Sequence, residues 1–138
     1  MGVRFRDHTE NRIVDGKDYV SHGLRIQAKT ADYTVVLPDD NGSFFTTRGA
    51  TGAIIFTLPA VTAGAESACV WFFNAVAQNM TVNSTADEMI TFNDLDANGV
   101  AFSTGSEVIG ACVMAVCDGT SWLICPMTEE TQTMTVTT

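Results

Sequence analysis

From Tyr33 onward, apolar and polar positions alternate in short runs, and clusters of Gly, Asp, Asn and Pro separate these runs at intervals of about ten residues. Ala53–Leu58 is the clearest run. Ile54, Phe56 and Leu58 share one side, and Ala53, Ile55 and Thr57 share the other. Pro59 ends it, because proline has no N–H for a ladder. The same reading predicts strands at Tyr33–Leu37, Ser43–Thr47, Ala68–Ala75, Asn79–Asn83, Met89–Phe92 and Gly99–Phe102. Ala68–Ala75 contains Val70-Trp71-Phe72-Phe73 and reads as a central strand buried on both faces. Glu107–Cys117 and Ser121–Pro126 read as a hairpin closed by Asp118-Gly119-Thr120. No stretch of ten residues carries a helical stripe. Eight or nine short strands predict an all-β fold, an antiparallel β-sandwich of jelly-roll type. Phe56, Leu58, Val70, Phe72, Val113, Val116 and Trp122 are expected in or near its core.

Residues 1–30 lack this pattern. Apolar residues are scattered singly among charges, with a short strand conceivable near Leu24–Ala28. The segment reads as an extended N-terminal arm, or as a first strand behind a loose terminus. The expected organisation is therefore an arm (1–30), a β-sandwich body (31–127) and a Thr-rich tail or edge strand (128–138).

Charge sharpens the division. All seven Lys and Arg precede residue 49, where seven acids balance them. Residues 49–138 carry nine acids and no Lys or Arg, hence the whole net charge of −9. Such a body cannot neutralise phosphates, so nucleic acid is not an expected partner. No apolar run is long enough to span a membrane.

Candidate chemistry is sparse. Cys69, Cys112, Cys117 and Cys125 form no CxxC pair, and the histidines, His8 and His22, lie far off in the arm. No metal site and no cofactor are expected. The thiols read as buried and reduced, with Cys117–Cys125 the one pairing the hairpin makes conceivable. Asp94-x-Asp96-x-Asn98-Gly99 resembles the start of a calcium loop, but position 12 is Gly105, so it reads as a turn. With no His after residue 22, the body lacks a Ser-His-Asp triad, and no catalytic residue is expected.

Four pieces in order carry a family likeness. They are Thr46-Thr47-Arg48-Gly49-Ala50-x-Gly52, Phe56-Thr57-Leu58-Pro59, Gly64 with Trp71-Phe72-Phe73-Asn74, and Val116-Cys117-Asp118-Gly119-Thr120-Ser121-Trp122. Together they resemble the small β domains of tailed-bacteriophage virion proteins, found in capsid decoration (cement) proteins and in tail-fibre modules. The resemblance implies a homotrimeric or similarly symmetric structural protein without catalysis, sited on the outer capsid surface with the major capsid protein as partner. A chain that starts at Met1 and has no repetitive shaft favours decoration over a tail fibre. A receptor- or carbohydrate-binding β module is the alternative, and it would show aromatics exposed on one face. The arm lies outside the likeness. Its Arg4, Phe5, Arg6, Arg12, Ile13, Lys17 and Tyr19, with Arg25, mix cations with apolar anchors as strong interfaces do. They are the expected shell-gripping residues, although the same cations could instead neutralise the body's acids.

Overall fold

A computed structural model describes residues 24–62, 65–127 and 132–138, and the backbone of 11–14 and 17–20. It contains β1 (Asn11–Val14), β2 (Lys17–Val20), β3 (Arg25–Ala28), β4 (Tyr33–Thr34), β5 (Ser43–Thr46), β6 (Ile54–Leu58) and β7 (Cys69–Phe73). These are followed by β8 (Met80–Ser84), β9 (Met89–Thr91), β10 (Asp94–Ala97), β11 (Gly99–Phe102), β12 (Cys112–Cys117), β13 (Trp122–Pro126) and β14 (Thr135–Thr137). β1 and β2 pair antiparallel. The other strands form a seven-stranded sheet, β10-β9-β13-β12-β7-β5-β3, and a five-stranded sheet, β14-β11-β8-β6-β4. The two sheets pack face to face, and the predicted all-β sandwich is what the chain adopts.

The expectation of purely antiparallel pairing does not hold, because both sheets are mixed. From β3 to β8 each successive strand crosses to the opposite sheet. Strands two apart in sequence therefore become neighbours with the same direction: β3 with β5, β5 with β7, β4 with β6, and β6 with β8. Parallel neighbours need a crossover between them, and here the crossover is itself a strand of the facing sheet. After β8 the chain makes hairpins, and most pairs become antiparallel, with β13 and β9 the exception.

Strand bounds follow the alternation closely in the core and less well at the ends. The run from Tyr33 keeps only two ladder residues, and the run from Glu107 begins its strand at Cys112. The Asp94 segment, read as a turn, is the edge strand β10. The tail contributes edge strand β14 on β11. β3 pairs with β5, so the body begins before residue 31.

Inward residues make one core. Phe45, Phe56 and Phe72 meet with ring centroids 4.9–5.7 Å apart, and Tyr33 packs on Phe45 at 5.3 Å. Such tilted or offset contacts suit the ring quadrupoles. Ile54, Leu58, Met80, Val82, Val100 and Phe102 fill the five-stranded side. Val113 is buried as expected, but Val116 is half-buried and lies on the outward side of β12.

Candidate functional site

The expected shell-gripping residues divide three ways. Arg4, Phe5 and Arg6 lie outside the described residues. Arg12, Ile13, Lys17 and Tyr19 are placed by backbone only, on a two-stranded pair in which Arg12 opposes Tyr19. Arg25 belongs to the body. Its guanidinium reaches Asp40 Oδ1 at 3.2 Å and donates to the Asp39 carbonyl oxygen.

Asp40 is buried and saturated. It accepts from Gln27 Nε2 at 3.1 Å, Tyr33 Oη at 2.8 Å and the Val36 amide at 2.8 Å. Burial pushes its carboxyl up, but these bonds and the Arg25 charge outweigh burial and hold it below the usual range. In return Asp40 raises the Tyr33 hydroxyl, mainly through their hydrogen bond. Lys29 sits over the Tyr33 ring, 3.6 Å from its centroid. The cluster locks edge strand β3 to the turn before β5.

Thr47, Asn74 and Trp122, from the pieces on which the sequence resemblance rests, fasten the frame, whereas Trp71 and Phe73 from the same pieces face outward. Thr47 Oγ1 donates to Asn74 Oδ1 at 2.6 Å and accepts from the Ala75 amide at 2.9 Å. Asn74 Nδ2 donates to the carbonyls of Gln78 at 2.7 Å and Val108 at 2.9 Å. Both side chains are fully buried, and both are satisfied. Trp122 Nε1 donates to the Pro59 carbonyl at 2.9 Å, joining the closing hairpin to the end of β6. Gly49, with φ +87°, takes a backbone conformation that favours glycine. Gly64 lies outside the described residues.

Among the described residues, four carboxylates of the cation-free stretch accept from backbone amides. Glu88 accepts from the Val61 amide, Glu107 from Thr133, Asp94 from Asp96, and Asp118 from Thr120 and Ser121, at 2.7–2.9 Å. The Ser121 and Thr120 amides hold the Asp118 carboxyl below its ordinary range. Asp94 also accepts from Thr138 Oγ1 at 2.9 Å, so its segment ties the sheet edge together.

The outward faces of the two sheets are the remaining candidates. On the seven-stranded sheet one row runs Ile26, Phe44, Trp71, Met114, Cys125 across β3, β5, β7, β12 and β13. A second row runs Ala28, Thr46, Phe73, Cys112. A third, Cys69, Val116, Leu123, Ile90, reaches β9. Thr46 is the one polar residue in these rows, and none is charged. Phe44, Trp71, Phe73, Met114 and Leu123 are half-buried, while Ile26 is 69% and flanking Leu24 56% exposed. Phe44 lies 6.4 Å from Trp71 and 6.0 Å from Phe73, centroid to centroid.

Sequence reading assigned Trp71 and Phe73 to the core. They alternate with the truly buried Val70 and Phe72 and face outward. The cysteines also need correction. Cys112 and Cys117 are buried, Cys69 is half-buried and Cys125 is exposed, all four as free thiols. Cys117 opposes Trp122 while Cys125 opposes Met114, which separates the pair considered for a disulfide. Burial raises the Cys69 and Cys112 thiols, with Cys125 adding to the effect on Cys69.

Comparison with protein-family models and with curated proteins gives no match to this chain.

Proposed function

We propose that the protein is a structural virion protein that decorates a phage capsid. In this reading it binds the major capsid protein on the outer shell and cross-links neighbouring capsomers as a homotrimer, without catalysis or cofactor. The observation that carries the proposal is the uncharged, mostly apolar set of outward rows across β3, β5, β7, β12, β13 and β9 of the seven-stranded sheet. A body with this face is suited to lie against protein, and contiguous apolar surface of this kind marks interaction sites. The residues of the phage likeness support the reading by acting as the frame behind that face: Thr47 with Asn74, and Pro59 with Trp122. The N-terminal segment brings the cations that the body lacks from residue 49 onward, and arginine forks suit carboxylates on a partner.

The test is co-sedimentation of the full chain with capsids, beside a chain lacking residues 2–20. Binding by the full chain, lost on deletion while the β spectrum is kept, supports the grip. Absence of binding by the full chain overturns the decoration reading.

The Phe44–Trp71 pair favours one second reading, a carbohydrate- or receptor-binding module. Sugar recognition, however, needs hydrogen-bonding groups around an aromatic platform, and Thr46 alone supplies one within the three rows. Quenching of Trp71 fluorescence by a glycan, absent in Trp71→Phe, would favour this alternative.

A further inference from the structure

We propose that the outer face of the seven-stranded sheet is the docking surface for a second copy of this chain. A face that meets its own copy pairs chains two by two, so this contact would link chains of neighbouring trimers in the decoration reading, on which the inference rests for its biological purpose alone.

Charge selects the occupant. The chain carries −9, and copies that met through carboxylate-bearing loops would repel. The rows from Ile26 to Cys125 and from Cys69 to Ile90 hold no charged residue. Two such faces therefore meet without burying an unpaired charge. A basic partner would find no carboxylate there to pair with, and its cations would lose water for nothing. Shape agrees. The first row carries bulky Phe44, Trp71 and Met114, and the second is small at Ala28, Thr46 and Cys112 and rises at Phe73. Ridges and hollows of this kind interdigitate when sheets stack about 10 Å apart.

Size sets the strength. Six strands about 4.8 Å apart and about five residues long give a face on the order of 400 Å². Two faces then bury about 800 Å², below the roughly 1,200 Å² at which stable interfaces begin. The contact is a weak one that forms when copies are concentrated, as they are side by side on a lattice. Because it is apolar and opposed by the net charge, salt strengthens it.

The experiment is sedimentation equilibrium of the full chain from micromolar to millimolar concentration, at low and high salt. Alongside it, the rate at which a thiol reagent modifies Cys125 is followed. The expected result is a mass that rises with concentration and with salt, and Cys125 labelling that slows several-fold in step. Met114→Lys, on the central strand β12, and Ile26→Lys, on the exposed edge, both return the chain to monomer. Ile55→Lys, outward on the five-stranded sheet, leaves association unchanged. If Met114→Lys does not fold, Ile26→Lys decides. A monomer at every concentration and salt overturns the proposal. So does assembly that survives Ile26→Lys, or assembly that high salt dissolves, which would point to the N-terminal cations. Since no capsid is present, a monomer that still sediments with capsids refutes only this inference. An assembling chain that ignores capsids refutes only the decoration reading.

Discussion

The two outward faces of the sandwich are made by the same alternation and carry opposite chemistry. On the five-stranded sheet the rows run Thr34, Thr57, Asn83, Gly99, Thr137 and Ile55, Thr81, Ala101, Thr135. Hydroxyl and amide groups dominate, and water satisfies them without a partner. On the seven-stranded sheet the corresponding rows are aromatic, aliphatic and thiol. Both sheets take β-branched and aromatic residues readily, so propensity does not explain the difference. The lesson is that one sheet ends the molecule at water, whereas the other leaves surface to be covered. Gly99 shows how closely the polar face is fitted. A Cβ there would collide with Asn83 Oδ1 and meet the Val82 carbonyl oxygen at 3.2 Å.

The sharpest way to break the comparison is to cross from a face to the core behind it. Phe72→Ala empties a fully buried site and should cost about 3–5 kcal/mol in chemical denaturation. Trp71→Ala, one residue earlier but facing outward, should cost only about 1–2 kcal/mol. Equal losses would mean that the outer face is already core. Next in size, Asn74→Ala strips partners from Thr47 and from two carbonyls at the sandwich rim, and should cost on the order of 3 kcal/mol. Asp40→Asn weakens the latch on edge strand β3 and should cost about 1–2 kcal/mol at neutral pH. Its signature is in the pH dependence. The folded carboxyl is depressed, so its stabilisation is complete above the unfolded value near 3.8 and is lost as pH falls toward the lower folded value. The wild-type acid limb should therefore be steeper than that of the variant, and superimposable limbs would remove the latch. The smallest effect is on the polar face. Thr81→Val should change stability by less than about 0.5 kcal/mol. Its use is to show, by sedimentation, whether added apolar surface there creates new association.

Period-2 patterning was enough to find β5, β6, β7, β8, β12 and β13 and the inward set Phe56, Leu58, Val70, Phe72, Val113 and Trp122. It could not give strand direction, because alternation looks the same in parallel and antiparallel ladders. Nor could it tell the core from an apolar outer face. In Val70-Trp71-Phe72-Phe73 every residue is apolar, and only the presence or absence of a second layer distinguishes the sides. β10 was hidden because Asp94 and Asp96 belong to turn chemistry by composition, and their strand is a bulged edge. The cation-free stretch from residue 49 onward looks self-repelling in sequence. Two of its carboxylates accept from backbone amides far along the chain, Glu88 from Val61 and Glu107 from Thr133, and spacing alone does not show such contacts.

The alternation of β3 to β8 between the sheets has a mechanical consequence. Neither sheet is a continuous piece of chain, so neither can be peeled away as a unit. A single cut in the connection between β6 and β7 would leave one fragment holding β1 to β6 and the other holding β7 to β14. Each fragment would still own strands of both layers, laced through the other by ladders and by the shared Phe45–Phe56–Phe72 contact. Severing the backbone there would leave the body mechanically whole, held as two threads of one weave.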